Sequence, residues 1–392
     1  MIDLDRAATA PVREEVLRAM WSHLAAPTGN PSSRHDLGRR AAADLDEARA
    51  TIAAALGART GDVILTSGGT EADNLAIRGI ALARPRGRRI LAAPTEHPAV
   101  LETCRALVRL HGFALDLLPV DASGTVNPRD VREAVGEDTA LVTVAIASSE
   151  IGTIQPIAEI AAAAHAAGAA MHTDAVQAIG QVPLDFRALG VDAMSIAGHK
   201  IGAPVGVGAL LARRSLPLEP LLYGGRQESS RRAGTENVAA AVGLAVAVQL
   251  AVTDLAARAD ELAGRRDAMR AIVESALPDL VLVGHPDRRL PGHLAWCVPG
   301  AEAEPLLLRL DERGVRVSSG TACGEDADEP SEALLACGIP AELARGAIRA
   351  SFDSATTSDE LERAAALIVE AVGDLRGLGS MTAPAEAARR PS

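Results

Sequence analysis

Asp62-Val63-Ile64-Leu65-Thr66-Ser67-Gly68-Gly69-Thr70-Glu71 reads as a short apolar strand that runs into two glycines and then a hydroxyl residue opening a helix. The turn places bare N–H groups at a helix N-terminus beside the Thr70 hydroxyl, which makes either an anion site or a plain turn with Thr70 as the cap. It is not a P-loop, because Lys200 is followed by Ile201 and no Gly-Lys-Ser/Thr exists. No G-x-G-x-x-G dinucleotide fingerprint is present either.

The same strand-then-helix rhythm continues outward. Apolar runs at 90–93, 115–118, 141–146, 170–173, 193–196 and 207–211 join 63–66 as expected strands, with helical lengths such as 71–83, 99–111 and 157–167 between most of them. Strands alternating with helices predict an α/β fold: a mostly parallel seven-stranded sheet sandwiched by helices. Several strands run into polar ends, at Ser67-Gly68-Gly69-Thr70, Thr95-Glu96-His97, Ser148-Ser149-Glu150, Asp174 and Gly198-His199-Lys200. Ligands of open α/β sheets sit beyond the carboxyl ends of the strands, so these scattered residues converge on one rim. A large domain is expected over 15–255 and a smaller α+β domain over 1–14 with 256–378. The tail 379–392, rich in Ala, Pro and Arg without an apolar period, is expected to be disordered.

Composition narrows the function. The 392 residues carry a net charge of −12, which disfavours a surface that binds nucleic acid directly. Six aromatic side chains (2 Trp, 1 Tyr, 3 Phe) are too few for base-stacking platforms. The longest apolar run, Val238 to Val248, is short of the roughly 20 residues that span a bilayer. The acidic start Met1-Ile2-Asp3-Leu4-Asp5 is unlike a signal peptide, so a cytoplasmic enzyme with no membrane partner is expected. Cys104, Cys297, Cys323 and Cys337 form no C-x-x-C pair, so no metal framework is expected.

Lys200 is the only lysine among 39 Lys and Arg side chains. Arg serves solubility and anion binding as well as Lys does but cannot be deprotonated, so it cannot act as an amine nucleophile. Asp174 ends a strand 26 residues earlier. An amine for a Schiff base, a carboxylate for a pyridine nitrogen and an anion cradle at Gly69-Thr70 together are what pyridoxal phosphate chemistry needs.

On these residues the chain resembles the cysteine desulfurases of the NifS/IscS-like kind, within the class V aminotransferase group of fold-type I pyridoxal-phosphate enzymes. The likeness takes in Leu4-Asp5, Gly29-Asn30-Pro31, 66–77, Thr95-Glu96-His97, Glu150-Ile151-Gly152, Asp174 with Gln177, Gly198-His199-Lys200, Arg232-Ala233-Gly234-Thr235, 318–323 and Arg349. The resemblance implies the cofactor pyridoxal 5'-phosphate, with Lys200 as the Schiff-base lysine and Asp174 at the pyridinium nitrogen. It puts His97 on the ring as a proton-transfer group, Gln177 at the ring hydroxyl, and Gly69, Thr70 and His199 on the phosphate. Thr235 is implied to reach the phosphate of the neighbouring subunit in a homodimer. Arg349 and Asn30 are implied to take the substrate carboxylate. The substrate is then L-cysteine, and Cys323 receives its sulfur as a persulfide for a sulfur-acceptor protein, in iron–sulfur cluster assembly or thiolation.

Two positions depart from the family pattern. Ser148-Ser149 stands where two asparagines are usual, leaving Ser149 as the shorter cofactor-side contact, and Ala197 replaces a serine near the phosphate. Three readings therefore remain: the desulfurase, another class V enzyme such as an aminotransferase or selenocysteine lyase with Cys323 incidental, and a non-catalytic homologue serving as a binding subunit.

The stretch Gly324-Glu325-Asp326-Ala327-Asp328-Glu329 after Cys323 carries four carboxylates, which disfavour a thiolate. Slow alkylation of Cys323 by iodoacetamide at neutral pH without substrate is the expected outcome, read by mass spectrometry. Fast labelling would show that the acidic stretch does not suppress the thiolate.

Overall fold

The computed structural model describes residues 1–25, 29–83, 87–320 and 330–382; Cys323 lies outside the described residues. After β1 (Ile2–Asp3), the chain forms β2 (Val63–Thr66), β3 (Arg89–Ala92), β4 (Ala114–Leu117), β5 (Thr139–Thr143), β6 (Ala170–Asp174), β7 (Ala193–Ala197) and β8 (Gly208–Ala212). β2 to β8 make one seven-stranded sheet in the order β2-β8-β7-β6-β5-β3-β4. β8 runs antiparallel to both β2 and β7, and the remaining pairs are parallel. The expected mostly parallel sheet is therefore found, with its strands within a few residues of the expected runs.

Its helices are α1 (Glu14–Ala25), α2 (Asp36–Ala55), α3 (Gly69–Ala83), α4 (Pro98–His111), α5 (Pro128–Ala134), α6 (Ile157–Ala166) and α7 (Val238–Val252). β5, β6, β7 and β8 are buried along their whole length, as strands covered on both faces must be. One core, on the side of α2, α6 and α7, contains Leu45, Ile52, Met171, Met194 and Leu244; the other, under α3 and α4, contains Leu75, Ile77, Ile90 and Leu107. α7 is apolar all round because it is enclosed, packing on α1 and α2. Among the described residues no single helix is long and apolar enough to cross a membrane.

The chain continues through α8 (Leu255–Ala276), β9 (Val281–Leu282), β10 (His293–Cys297), α9 (Ala303–Glu312), β11 (Val315–Arg316), β12 (Ser318–Ser319), α10 (Glu332–Ala336), α11 (Ala341–Ala344), β13 (Ala347–Ser351) and α12 (Ser358–Thr382). A second sheet, β12-β13-β10-β9, is antiparallel throughout, while β1 pairs in parallel with β11. Another core joins Ile2 and Leu4 to Met269, Trp296, Leu306, Phe352 and Ile368, so the first residues of the chain pack with its last third.

Within the stretch 379–392, α12 runs on to Thr382. A propagating helix tolerates Gly379, at about 1 kcal/mol relative to alanine, because no new nucleus has to form. Residues 383–392 lie outside the described residues.

Trp296 is the largest fully buried side chain of this last core and holds β10 against α8. Trp296→Ala is expected to lower stability by about 3–5 kcal/mol, read by denaturant unfolding.

Candidate active site

The carboxyl ends of β5, β6 and β7 and the N-termini of α3 and α4 open into a cavity of about 370 Å³. Gly69, Thr70, His97, Ser149, Asp174, Gln177, His199, Lys200 and Arg349 all line it. Nine of the twelve residues singled out from the sequence thus meet in one place. Asp5, Ala7, Ala8, Asp73, Glu150, Ala197 and Ser318 complete much of the wall.

Lys200 ends the short 3-10 turn that follows β7. Its Nζ donates to the carbonyls of Ala7 (2.6 Å) and Ala8 (2.9 Å), and Gln177 Nε2 donates to the same Ala7 carbonyl at 3.0 Å. The segment 5–13 is tied to both cores, by Ala7 N to Ser351 Oγ at 2.8 Å, Ala10 N to the His199 carbonyl at 2.8 Å and Arg13 N to the Gly202 carbonyl at 3.0 Å. The sole lysine amine is therefore held where the two parts of the chain join.

Asp174 closes β6, where the Val176 N–H donates to its Oδ1 at 2.7 Å. Burial raises its pKa to about 6, against the pull of Val176 N–H and Lys200. Asp73, on the inner face of α3, is pushed well above the usual carboxylate range by burial and by the neighbouring Asp174 charge. Glu96 rises to about 8 for want of solvent, although its Oε1 accepts from Ala145 N at 2.7 Å. Behind these acids His172 is wholly buried, its ring bonded to Thr143 Oγ1 and Ser195 Oγ, each at 2.9 Å. Burial drops its pKa to about 3.

His97 caps α4, its Nδ1 accepting from Ala99 N at 3.0 Å, with Pro98 as the first helical residue. Partial desolvation and then the Lys200 charge hold it below the usual imidazole value. His199 falls to about 4 for the same two reasons. Both rings are neutral near pH 7, and each can donate or accept one hydrogen bond.

Arg349, on β13, is buried beneath the opposite wall. Its Nη2 donates to Asp5 Oδ1 at 2.8 Å and its Nη1 to the Ser149 carbonyl at 3.4 Å, while buried Nε has no hydrogen-bond partner among the described residues. An unsatisfied buried donor on a guanidinium that faces a cavity suits a carboxylate ligand.

The cavity fits the cofactor that the sequence implied. A Cβ at Gly69 would lie 2.8 Å from Val176 Cγ2 and 3.3 Å from Ala197 Cβ, so only glycine lets the start of α3 approach the wall this closely. Glu71, in the first turn, would oppose a phosphate, but Arg232 covers it through Nε at 2.8 Å and Nη2 at 3.3 Å. Asp174 and the Lys200 amine supply the carboxylate and the nucleophile.

Two expected residues stand apart. Thr235 is exposed beside a separate depression of about 140 Å³ shared with Arg232 and Glu228. Asn30 is exposed, and its Oδ1 accepts from Ser32 N at 2.9 Å. Cys323 lies outside the described residues. Cys104, Cys297 and Cys337 are buried, which pushes each thiol up to about 12, as expected of packed thiols.

Sequence reasoning gave no role to Asp5, Asp73 or His172. Asp73 was detectable in principle: it is a carboxyl group within the otherwise apolar stripe Ala72, Leu75, Ala76 and Ile80 of α3. Asp5 and His172 carry no local signal, because their importance comes from contacts with distant residues.

The family model for aminotransferase class-V matches residues 2–364. The chain is 44% identical over 359 residues to the cysteine desulfurase IscS of Dictyoglomus turgidum, covering 91% of each protein. It is 43% identical over 383 residues to the IscS-like cysteine desulfurase of Mycobacterium tuberculosis, covering 96% of this chain and 97% of that protein. Among solved structures, a NifS-like protein superposes with a TM-score of 0.88 at 32% identity, covering 95% of this chain and 99% of that one.

His172 generates a pH prediction. The unfolded chain binds its proton near the ordinary value of 6.5 and the folded chain only near 3. Between those values the unfolded state holds more protons, so this residue makes stability fall as pH falls. In His172→Gln the loss of melting temperature between pH 6.5 and 4 is expected to be smaller than in the wild type. A parallel pair of melting curves would show that His172 is not buried neutral.

Proposed function

We propose that this chain, which belongs to the class V aminotransferase family and to the IscS-like cysteine desulfurases within it, holds pyridoxal phosphate on Lys200 and passes the sulfur of L-cysteine to Cys323, releasing L-alanine. The observation that carries this reading is the meeting of the chain's only lysine, a buried strand-end aspartate and a buried arginine in one cavity.

Pyridoxal phosphate, when bound, supplies an aldehyde that condenses with amines and a ring that accepts the electron pair freed at the substrate's α-carbon. The chain's own residues do the rest. Gly69, Thr70 and His199 hold the phosphate, with backbone N–H groups of α3 aimed at the anion. Asp174 keeps a proton on the ring nitrogen. A nearby cation pulls a carboxyl group that burial has raised to about 6 back towards its charged form. Gln177 contacts the ring hydroxyl. His97, neutral and at the cavity wall, covers the ring face and moves protons to and from the substrate. Ser149 takes the place of an asparagine on the cofactor side with one hydroxyl, and Ala197 adds no hydrogen bond, so the phosphate depends more on α3 and His199.

Arg349 takes the carboxylate of L-cysteine at its unsatisfied edge, and Asn30 joins it from the exposed loop. The Cys323 thiolate attacks the substrate sulfur: an S–S bond forms, the C–S bond breaks, and the carbon left behind is protonated. L-cysteine and one thiol become L-alanine and one persulfide, so the step balances without an oxidant. The persulfide then goes to a sulfur-acceptor protein of an iron–sulfur or thiolation pathway in the cytoplasm.

The exposed position of Thr235, outside the cavity, is compatible with reaching the cofactor of a neighbouring subunit in a homodimer. The separate cores support a large domain over 15–255 and a smaller one over 1–14 with 256–378.

The test is purified holoprotein with L-cysteine and a reductant, measuring alanine and sulfide together. Both should form in equal amounts. Lys200→Arg is expected to lower each by at least about 1000-fold, since Arg cannot condense with an aldehyde. Cys323→Ala should abolish sulfide release. Retained turnover in Cys323→Ala would favour an aminotransferase, and no turnover in a wild type that binds the cofactor would favour a binding subunit.

A further inference from the structure

Asp5 lines the cavity and pairs with Arg349, yet the reaction as outlined above gives it no task. We infer that Asp5 sets the affinity of the substrate carboxylate site: its own carboxylate competes with that of the amino acid for the Arg349 guanidinium and so limits how tightly the site holds any carboxylate. The inference rests on Arg349 being the carboxylate site.

The hydrogen bonds around Arg349 support it. Among the described residues only one edge of the guanidinium has a strong acceptor, Asp5 Oδ1 at 2.8 Å from Nη2. Nη1 reaches the Ser149 carbonyl at 3.4 Å, and that oxygen is already engaged by His293 Nε2 at 2.8 Å. Nε is buried with no hydrogen-bond partner among the described residues. Arg349 therefore keeps donor capacity for a second carboxylate next to Asp5.

Asp5 is also held in place for this contact. Its backbone N–H donates to Asp3 Oδ1 at 3.2 Å, and a parallel bridge joins it to Ser351. The adjacent cation, Arg6, turns instead to Asp3 at 3.1 Å and Asp353 at 3.4 Å. The other carboxyl groups of the wall are engaged elsewhere: Glu150 accepts from Ser331 Oγ, Asp174 faces Lys200, and Asp73 is buried behind Asp174.

Either route of substrate binding gives the same sign. If the incoming carboxylate takes the Nε edge, two anions share one guanidinium and repel; if it displaces Asp5, it must break an ion pair first. Meanwhile Asp5 compensates a buried cation that would otherwise be unpaired. Since the product L-alanine keeps the same carboxylate, the internal anion favours its release as well.

The experiment measures the inhibition constant of 3-mercaptopropionate on the holoenzyme. This probe keeps the carboxylate and thiol of L-cysteine but lacks the amine, so it does not condense with the cofactor. Asp5→Asn preserves an acceptor oxygen and removes the charge; the inhibition constant is expected to fall by about five-fold or more, with KM for L-cysteine falling alongside. Asp5→Glu should stay within about two-fold of the wild type, and Asp5→Ser serves as the neutral variant if Asp5→Asn does not fold. An unchanged or higher inhibition constant in the neutral variant, or the same change in Asp5→Glu, overturns the inference. Arg349→Gln separates it from the reading beneath it. If that change leaves the inhibition constant unmoved, Arg349 is not the carboxylate site; if it weakens inhibition while Asp5→Asn has no effect, only the role of Asp5 fails.

Discussion

The site depends on the parallel register of β5, β6 and β7. Thr143 lies opposite His172, and Asp174 opposite Ser195, so three strands end at nearly one level. Backbone bonds carry the alignment past the strands, with Ile146 N donating to the Asp174 carbonyl at 2.9 Å and Ala175 N to the Ser195 carbonyl at 3.0 Å. A slip of one residue would turn each side chain to the other face of the sheet and send Asp174 and His172 away from their partners.

Burial then sets the chemistry of what the register assembles. Water is scarce enough at this rim to raise Asp174 and Glu96 and to lower His172 and His199. Carboxyl groups tend towards the neutral form and imidazoles lose their charge, which leaves Lys200 and Arg349 as the cations that an anionic ligand meets. Each is held by residues near the N-terminus: Lys200 by the Ala7 and Ala8 carbonyls, Arg349 by Asp5. One short segment therefore positions both cations, linking the amine end of the cavity to its carboxylate end.

Much of this was legible in the sequence where the signal was local. The Val63–Thr66 strand ends as read, and the Gly68-Gly69-Thr70 turn opens α3 because a side chain at Gly69 would collide with Val176. A lone lysine in a chain otherwise built with arginine also pointed correctly at the cavity. The end of α12 at Thr382 carried no such local signal, because helix ends depend on propagation more than on composition.

The sequence by itself determined the alternation of strands and helices, the glycine turn, and the set of side-chain chemistries available, since propensity and periodicity act over a few neighbouring residues. Only the tertiary structure decided which charges meet. That Asp5 pairs with Arg349 across 344 positions, that Asp73 lies behind Asp174, and that His172 is neutral follow from sheet register and packing. Coulomb energy and desolvation depend on distance in space and on the water excluded, and neither quantity is written along the chain.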